Sequence, residues 1–184
     1  MTTVAPVCTA LERYCGFEAG GARARIRALT EGGLIEPGGP GKAVEITEAD
    51  FVLVLLALAS GAPLHAVADV VAELADTIPA GVDVNVMPAT SRPAKQTAFD
   101  ALHHLVWSAA HGDLDAQSRV SKINVEVVES WREVALHKPD GVVRFLPMGA
   151  LAGRWQGDKQ RRATSIPGLA LVGAVCAIFA EETV

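Results

Sequence analysis

Cysteine is scarce in this chain of 184 residues: only Cys8, Cys15 and Cys176. No two of them have the two-residue spacing of a zinc knuckle or a dithiol redox motif, which excludes both. An odd, sparse count does not fit a disulfide scaffold and fits a reducing compartment, so a cytoplasmic protein is expected. Cys8 and Cys15, seven apart, share a helix face and read as small hydrophobes. Basic residues are not in excess, with 16 Lys and Arg against 21 Asp and Glu and a formal net charge of −5. That balance excludes a wholly basic nucleic-acid coat but leaves room for a local patch. Long apolar runs are missing too. Phe51 to Ala59 and Ile166 to Ala180 both fall short of the roughly 18–20 residues that a membrane span needs. The start, MTTVAPVCTALERYC, lacks the basic and apolar regions of a signal peptide. The sequence contains no Gly-x-Ser-x-Gly elbow, Walker loop, HExxH or dinucleotide fingerprint. No enzyme, catalytic residue, cofactor or membrane partner is therefore expected.

Half of the residues are apolar, a globular composition able to bury a core without covalent staples. Pro6 to Tyr14 reads as a helix with Val7, Leu11 and Tyr14 on one side, broken at Gly16. Gly20 and Gly21 open a second helix, Ala22 to Thr30, anchored by Ile26 and Leu29. Gly33 follows its last turn, in the position of a left-handed cap. Gly38-Gly39-Pro40-Gly41-Lys42 is a loop, since Gly and Pro dominate it, and Ala43 to Ile46 leaves it as a short strand. Thr47 starts the next helix with Asp50 three residues on, a capping-box pattern ahead of the apolar Phe51, Val52, Leu55, Leu56 and Leu58. After Ser60-Gly61-Ala62-Pro63, helical spacing resumes in Leu64, Val67, Val70, Val71 and Leu74.

From Asp76 to Pro93 the texture changes. Ile78-Pro79-Ala80-Gly81 and Met87 to Pro93 read as linker around the alternating Val82 to Val86. The reading divides the chain into residues 1–77, a linker at 78–93, and residues 94–184. Beyond the linker, Gln96 to His111 is expected as a helix. Lys122 to Glu129, Trp131 to Leu136 and Gly141 to Leu146 are expected as strands, the last two joined through the Pro139-Asp140-Gly141 turn. Residues 149–163 read as a polar loop, and Ile166 to Glu181 as a buried helix. The fold class is α+β, with a small antiparallel sheet in the second part.

The order of elements up to Leu74 resembles the winged helix-turn-helix DNA-binding domain of the MerR type. The stretch Ile26-Arg27-Ala28-Leu29-Thr30-Glu31-Gly32-Gly33-Leu34-Ile35-Glu36-Pro37 is similar to that family's recognition-helix end, Gly-Leu-Ile junction and wing entry. The Asp50 helix and the Gly61-Ala62-Pro63-Leu64 junction follow in matching order. The resemblance implies that the second helix enters the major groove of double-stranded DNA while the wing touches the backbone. Independently of that likeness, a helix fits the major groove and its polar N-terminal residues reach base edges. Arg23, Arg25 and Arg27 project from this helix, with Arg23 and Arg27 on one face and Arg25 on another. These three, with Lys42 in the loop against phosphate, are the expected DNA contacts. The loop carries one Lys and no aromatic residue, and the long coiled coil of MerR activators is missing.

The densest basic cluster, Gly153 to Arg162, contributes secondary phosphate candidates Arg154, Lys159, Arg161 and Arg162, interleaved with Trp155. Asp100 and His104, with His111, have the spacing of two or three metal ligands on one helix face, but no Cys or Glu closes the set and no metal is expected. The expected function is sequence-directed DNA binding, as a transcriptional regulator of phage-related origin acting as a homodimer or higher homo-oligomer. Two alternatives are a phage small terminase subunit or similar DNA-packaging protein, and a winged helix used only for protein contacts.

Overall fold

A computed structural model describes residues 2–39, 41–82, 90, 97–150 and 160–180. The fold is α+β, with antiparallel sheets. Helix α1 (Val4–Cys15) ends at Gly16, which adopts φ 75°. Helix α2 (Ala19–Glu31) ends in a Schellman motif: Gly33 takes φ 76°, Gly33 N–H donates to Thr30 O at 3.1 Å and Leu34 N–H to Leu29 O at 2.9 Å. A left-handed residue is needed there, and glycine supplies it without a Cβ clash. Strand β1 (Thr2–Thr3) pairs with β2 (Glu45–Ile46) on the far side of the Gly38–Lys42 loop.

Helix α3 (Glu48–Ala59) starts from a complete capping box. Asp50 N–H donates to Thr47 Oγ1 at 3.1 Å, and Thr47 N–H donates to Asp50 Oδ2 at 2.9 Å. All of its residues from Phe51 to Ala59 except Leu53 are buried, as an all-apolar helix must be. A 3-10 turn (Leu64–Ala66) leads into α4 (Val67–Ala75). Ile78–Pro79, expected as linker, instead form strand β3 and pair with Leu146 and Phe145 at the edge of the main sheet. Proline is tolerated at such an edge because its missing N–H need not face a neighbour. Of the Val82 to Val86 alternation, only Val82 lies within the described residues.

Helix α5 (Ala98–His111) repeats the capping box of α3, with Thr97 and Asp100 in the reciprocal roles. Asp100, weighed above as a metal ligand, is thus a capping carboxylate. Helix α6 (Leu114–Ser121) follows, started by Asp113 accepting from Ala116 N–H at 2.7 Å. The strands β4 (Asn124–Val128), β5 (Glu133–Lys138), β6 (Gly141–Leu146) and β7 (Ala163–Ile166) complete a five-stranded antiparallel sheet in the order β3-β6-β5-β4-β7. The sequence pattern predicts neither α6 nor β7. The chain ends its described part in α7 (Gly168–Phe179), which begins two residues later than the sequence pattern suggests because Ile166 belongs to β7.

One continuous core takes residues from both sides of the expected boundary, among them Leu11, Leu55, Leu102, Val125, Phe145 and Leu171. Burying each such side chain contributes about 1.5–3 kcal/mol. Helix α7 packs on α1, α5 and α6. The approach to α1 is so close that a Cβ on Gly173 would lie 2.6 Å from the Tyr14 ring. Across the sheet, alternate residues divide by face. Val125, Val127, Val134 and Leu136 join the helical core. Glu126, Val128, Glu133 and Ala135 point the other way, yet are also buried.

Candidate nucleic-acid interface

The orientation of α2 follows from its three buried residues, Ala22, Ile26 and Leu29. Their spacing of four and three residues turns one stripe of the helix inward. Arg23 lies on the flank of this stripe and Arg27 on the side away from it, four residues and about 6 Å of helix apart, and both are exposed. The Arg27 side chain is 81% accessible and its Nε donates to Glu31 Oε1 at 2.7 Å. This pair raises the Arg27 guanidinium above its ordinary range, the hydrogen bond to Glu31 being the main cause. A pair this exposed is screened by solvent and gives way readily to another anion.

Arg25 has a different task. Its Nε donates to Ala57 O at 2.9 Å. Ala57 lies in the last turn of α3, where carbonyls lack helical partners and the helix dipole favours a cation. Ser60 Oγ donates to the same carbonyl at 3.1 Å. Arg25 therefore ties α2 to the end of α3. Lys42 is exposed in the loop between α2 and β2, where its N–H closes a turn onto Gly39 O at 2.8 Å. Exposed acidic residues share this region, including Glu12, Glu18 and Glu36, and they offset part of its positive charge.

The secondary phosphate candidates divide. Arg154 and Lys159, with Trp155, lie outside the described residues. Arg162 is exposed, and its backbone is held by Ser130 and Glu129. Arg161 turns inward instead. It meets Glu126 with both nitrogens, Nη1 to Oε1 at 2.6 Å and Nη2 to Oε2 at 3.2 Å, and Nη2 also reaches Glu133 Oε1 at 3.2 Å. This geometry sets Arg161 apart from the other phosphate candidates, because a bidentate fork closed on a buried carboxylate is less available to a ligand.

Sequence reasoning missed the cluster that Arg161 joins. Glu133 is fully buried, with Arg144 and Arg161 on Oε1 and the Trp131 indole N–H on Oε2 at 2.7 Å. His137 Nε2 lies 2.6 Å from Glu126 Oε2. Burial by itself would raise the Glu126 carboxyl, but hydrogen bonds from Arg161 and His137, and their charges, outweigh it and hold the group below its ordinary range. Two carboxylates and two guanidiniums on one sheet face compensate one another, the condition under which buried charge is tolerated. The only sequence signal was the alternation of β4 and β5, which placed these side chains on the face away from the helices.

Two further ion pairs tie elements together. His111 Nε2 sits 2.6 Å from Glu48 Oε1 and joins α5 to α3. Arg132 pairs with Glu73. Burial pushes the Cys15 thiol up to about 11 and also raises Cys8 and Cys176, so none is primed as a thiolate nucleophile. Among the described residues no three His, Cys, Asp or Glu side chains gather as metal ligands, and no helix is long and apolar enough to cross a membrane. No protein-family model matches the chain, and no curated protein or solved structure is detectably similar to it.

Proposed function

We propose that this chain is a sequence-directed DNA-binding protein of the regulator type. In this reading α1 and α2 act as a helix-turn-helix and the loop from Gly38 to Lys42 acts as the wing. The observation that carries the reading is the solvent exposure of Arg23 and Arg27, one turn apart on α2 and outside its buried stripe. Arginine forks suit guanine edges and phosphate oxygens, and a helix of this diameter fits the major groove. Arg25 is not a base contact in this scheme, because it holds the end of α3. Lys42 contacts phosphate. Two copies reading paired half-sites would supply the affinity that one short helix lacks.

The test is fluorescence anisotropy of the whole protein with a labelled random-sequence duplex across a salt series. Binding should weaken linearly on a log–log plot as phosphate-bound counterions are released. Replacing Arg23 and Arg27 by Ala should lower affinity and flatten the slope by about one for each phosphate no longer neutralised, without moving the unfolding midpoint. A slope near zero in the unmodified protein would leave α2 as a surface for protein contacts and remove the DNA reading. If slope and affinity survive the double substitution, DNA binding stands but the α2 assignment does not.

A further inference from the structure

The helices cover the main sheet unevenly. Helix α3 lies against β4 and β7, whereas on the same face the β5–β6 side opens into a cleft of about 640 Å³ under α5 and α6. Small-molecule sites typically enclose about 300–1,000 Å³, with apolar walls and a few placed polar groups. The floor here is Leu136, Val143 and Phe145 from the sheet, continued by Leu105, Val120 and Ile123 from the helical side. Apart from the neutral Ser108, the polar side chains that line the cleft are basic. Arg119 of α6 and Lys138 at the end of β5 line it, His104 of α5 joins them, and no carboxylate is among the described residues of the wall. Arg119 and Lys138 are exposed and make no salt bridge among the described residues. By contrast, Arg144 of β6, and Arg132 and Arg161 beside the sheet, are each paired with a Glu. Trp107 also lines the cleft and is 50% exposed, with its ring tilted against His111.

From this combination we propose that the cleft binds a small amphipathic organic acid. Its hydrocarbon body lies on the Leu136, Val143 and Phe145 floor, and its carboxylate sits between Arg119 and Lys138. Charge complementarity selects the occupant: a neutral or cationic ligand of the same shape would leave both cations without a counter-charge. The site is built from residues remote from α2 in sequence and does not rest on DNA binding.

The experiment is calorimetric titration of the full chain, without DNA, using three probes with one hydrocarbon tail: octanoate, octanol and octylammonium. Octanoate should bind in the millimolar range and shift tryptophan emission to the blue as its tail covers Trp107, and the shift should be lost in Trp107→Phe. Octylammonium should not bind. Arg119→Gln with Lys138→Gln should lower octanoate affinity by at least about tenfold at an unchanged unfolding midpoint, while Arg13→Gln, on α1, should leave it alone. Octanol binding as tightly as octanoate would overturn the proposal, because the cations would then contribute nothing. Retained affinity in the double variant, or no octanoate binding at all, would overturn it equally.

Discussion

Arginine serves opposite ends in the two parts of this molecule. On α2, Arg23 and Arg27 are exposed, and Arg27 meets Glu31 in a direct pair that solvent screens. On the far face of the main sheet, Arg144 and Arg161 are locked onto Glu126 and Glu133, the second of which has no exposed side-chain surface. The density of basic residues along the chain does not separate the two cases, since Arg161 belongs to the most basic stretch of all. What separates them is the carboxylate opposite. A buried Glu must be compensated where it lies, and it draws in whichever guanidinium the fold brings near.

The comparison breaks most visibly at Glu133. Glu133→Ala removes a buried carboxylate from two guanidiniums and an indole N–H, and should destabilise the fold by about 3–5 kcal/mol. For a chain of this size that lowers the thermal midpoint by roughly 10 °C. Chemical denaturation measures it directly, and a loss below about 1 kcal/mol would mean that the network is solvent-screened like the Arg27–Glu31 pair. Arg27→Ala should leave the denaturation midpoint where it is.

A smaller effect, read through pH, comes from Glu126. Its carboxyl is held below the ordinary glutamate value of about 4.3. A lowered value in the folded state means that the unfolded chain binds the proton first. The stabilisation is therefore complete above the ordinary value and is lost as pH falls through the folded one. Urea midpoints between about pH 3 and 7 should fall on the acid side in the unmodified protein, and the fall should be shallower in Glu126→Gln. Identical acid limbs would show that the pairs with Arg161 and His137 do not outweigh the desolvation.

The same contrast, local against long-range, explains what could be read from the sequence. The Gly33 cap, the Thr47 and Asp50 box and the strands flanking Pro139-Asp140-Gly141 are decided by residues within a few positions of each other, and all of them stand in the structure. The box at Thr97 and Asp100 carries the same signal, which the metal reading of Asp100 passes over. Helix α6 escaped because only Val120 in it is buried, so it has no apolar period to detect. Strand β3 escaped because the partners of Ile78 and Pro79 lie at Leu146 and Phe145, far along the chain. The burial of Glu126 and Glu133 was illegible for a related reason. Alternation assigns them to the face away from the helices, and nothing local says whether that face is covered. At the α2 site, the exposure of Arg23 and Arg27 followed from the helical period, while the hydrogen bond from Arg25 to Ala57 needed the position of α3.

Arg25 sharpens the comparison at its smallest scale, because it lies two residues from each of the exposed arginines and behaves like neither. One hydrogen bond from a charged donor to a carbonyl that it shares with Ser60 Oγ, at the negative end of a helix, contributes about 1 kcal/mol. Arg25→Ala should cost about that much stability by loosening α2 from α3, and Arg25→Lys should recover little of it, since an ammonium cannot reproduce the planar Nε donor. Arg23→Ala should cost none. If the DNA reading is right, the binding assay ranks the three substitutions in the reverse order at a temperature where all variants are folded: Arg23 and Arg27 lower affinity, and Arg25 lowers it less. Should Arg25→Ala weaken binding most while leaving the unfolding midpoint unchanged, its side chain must leave Ala57 to reach the duplex, and the division drawn here between a tying arginine and two reading ones would be wrong.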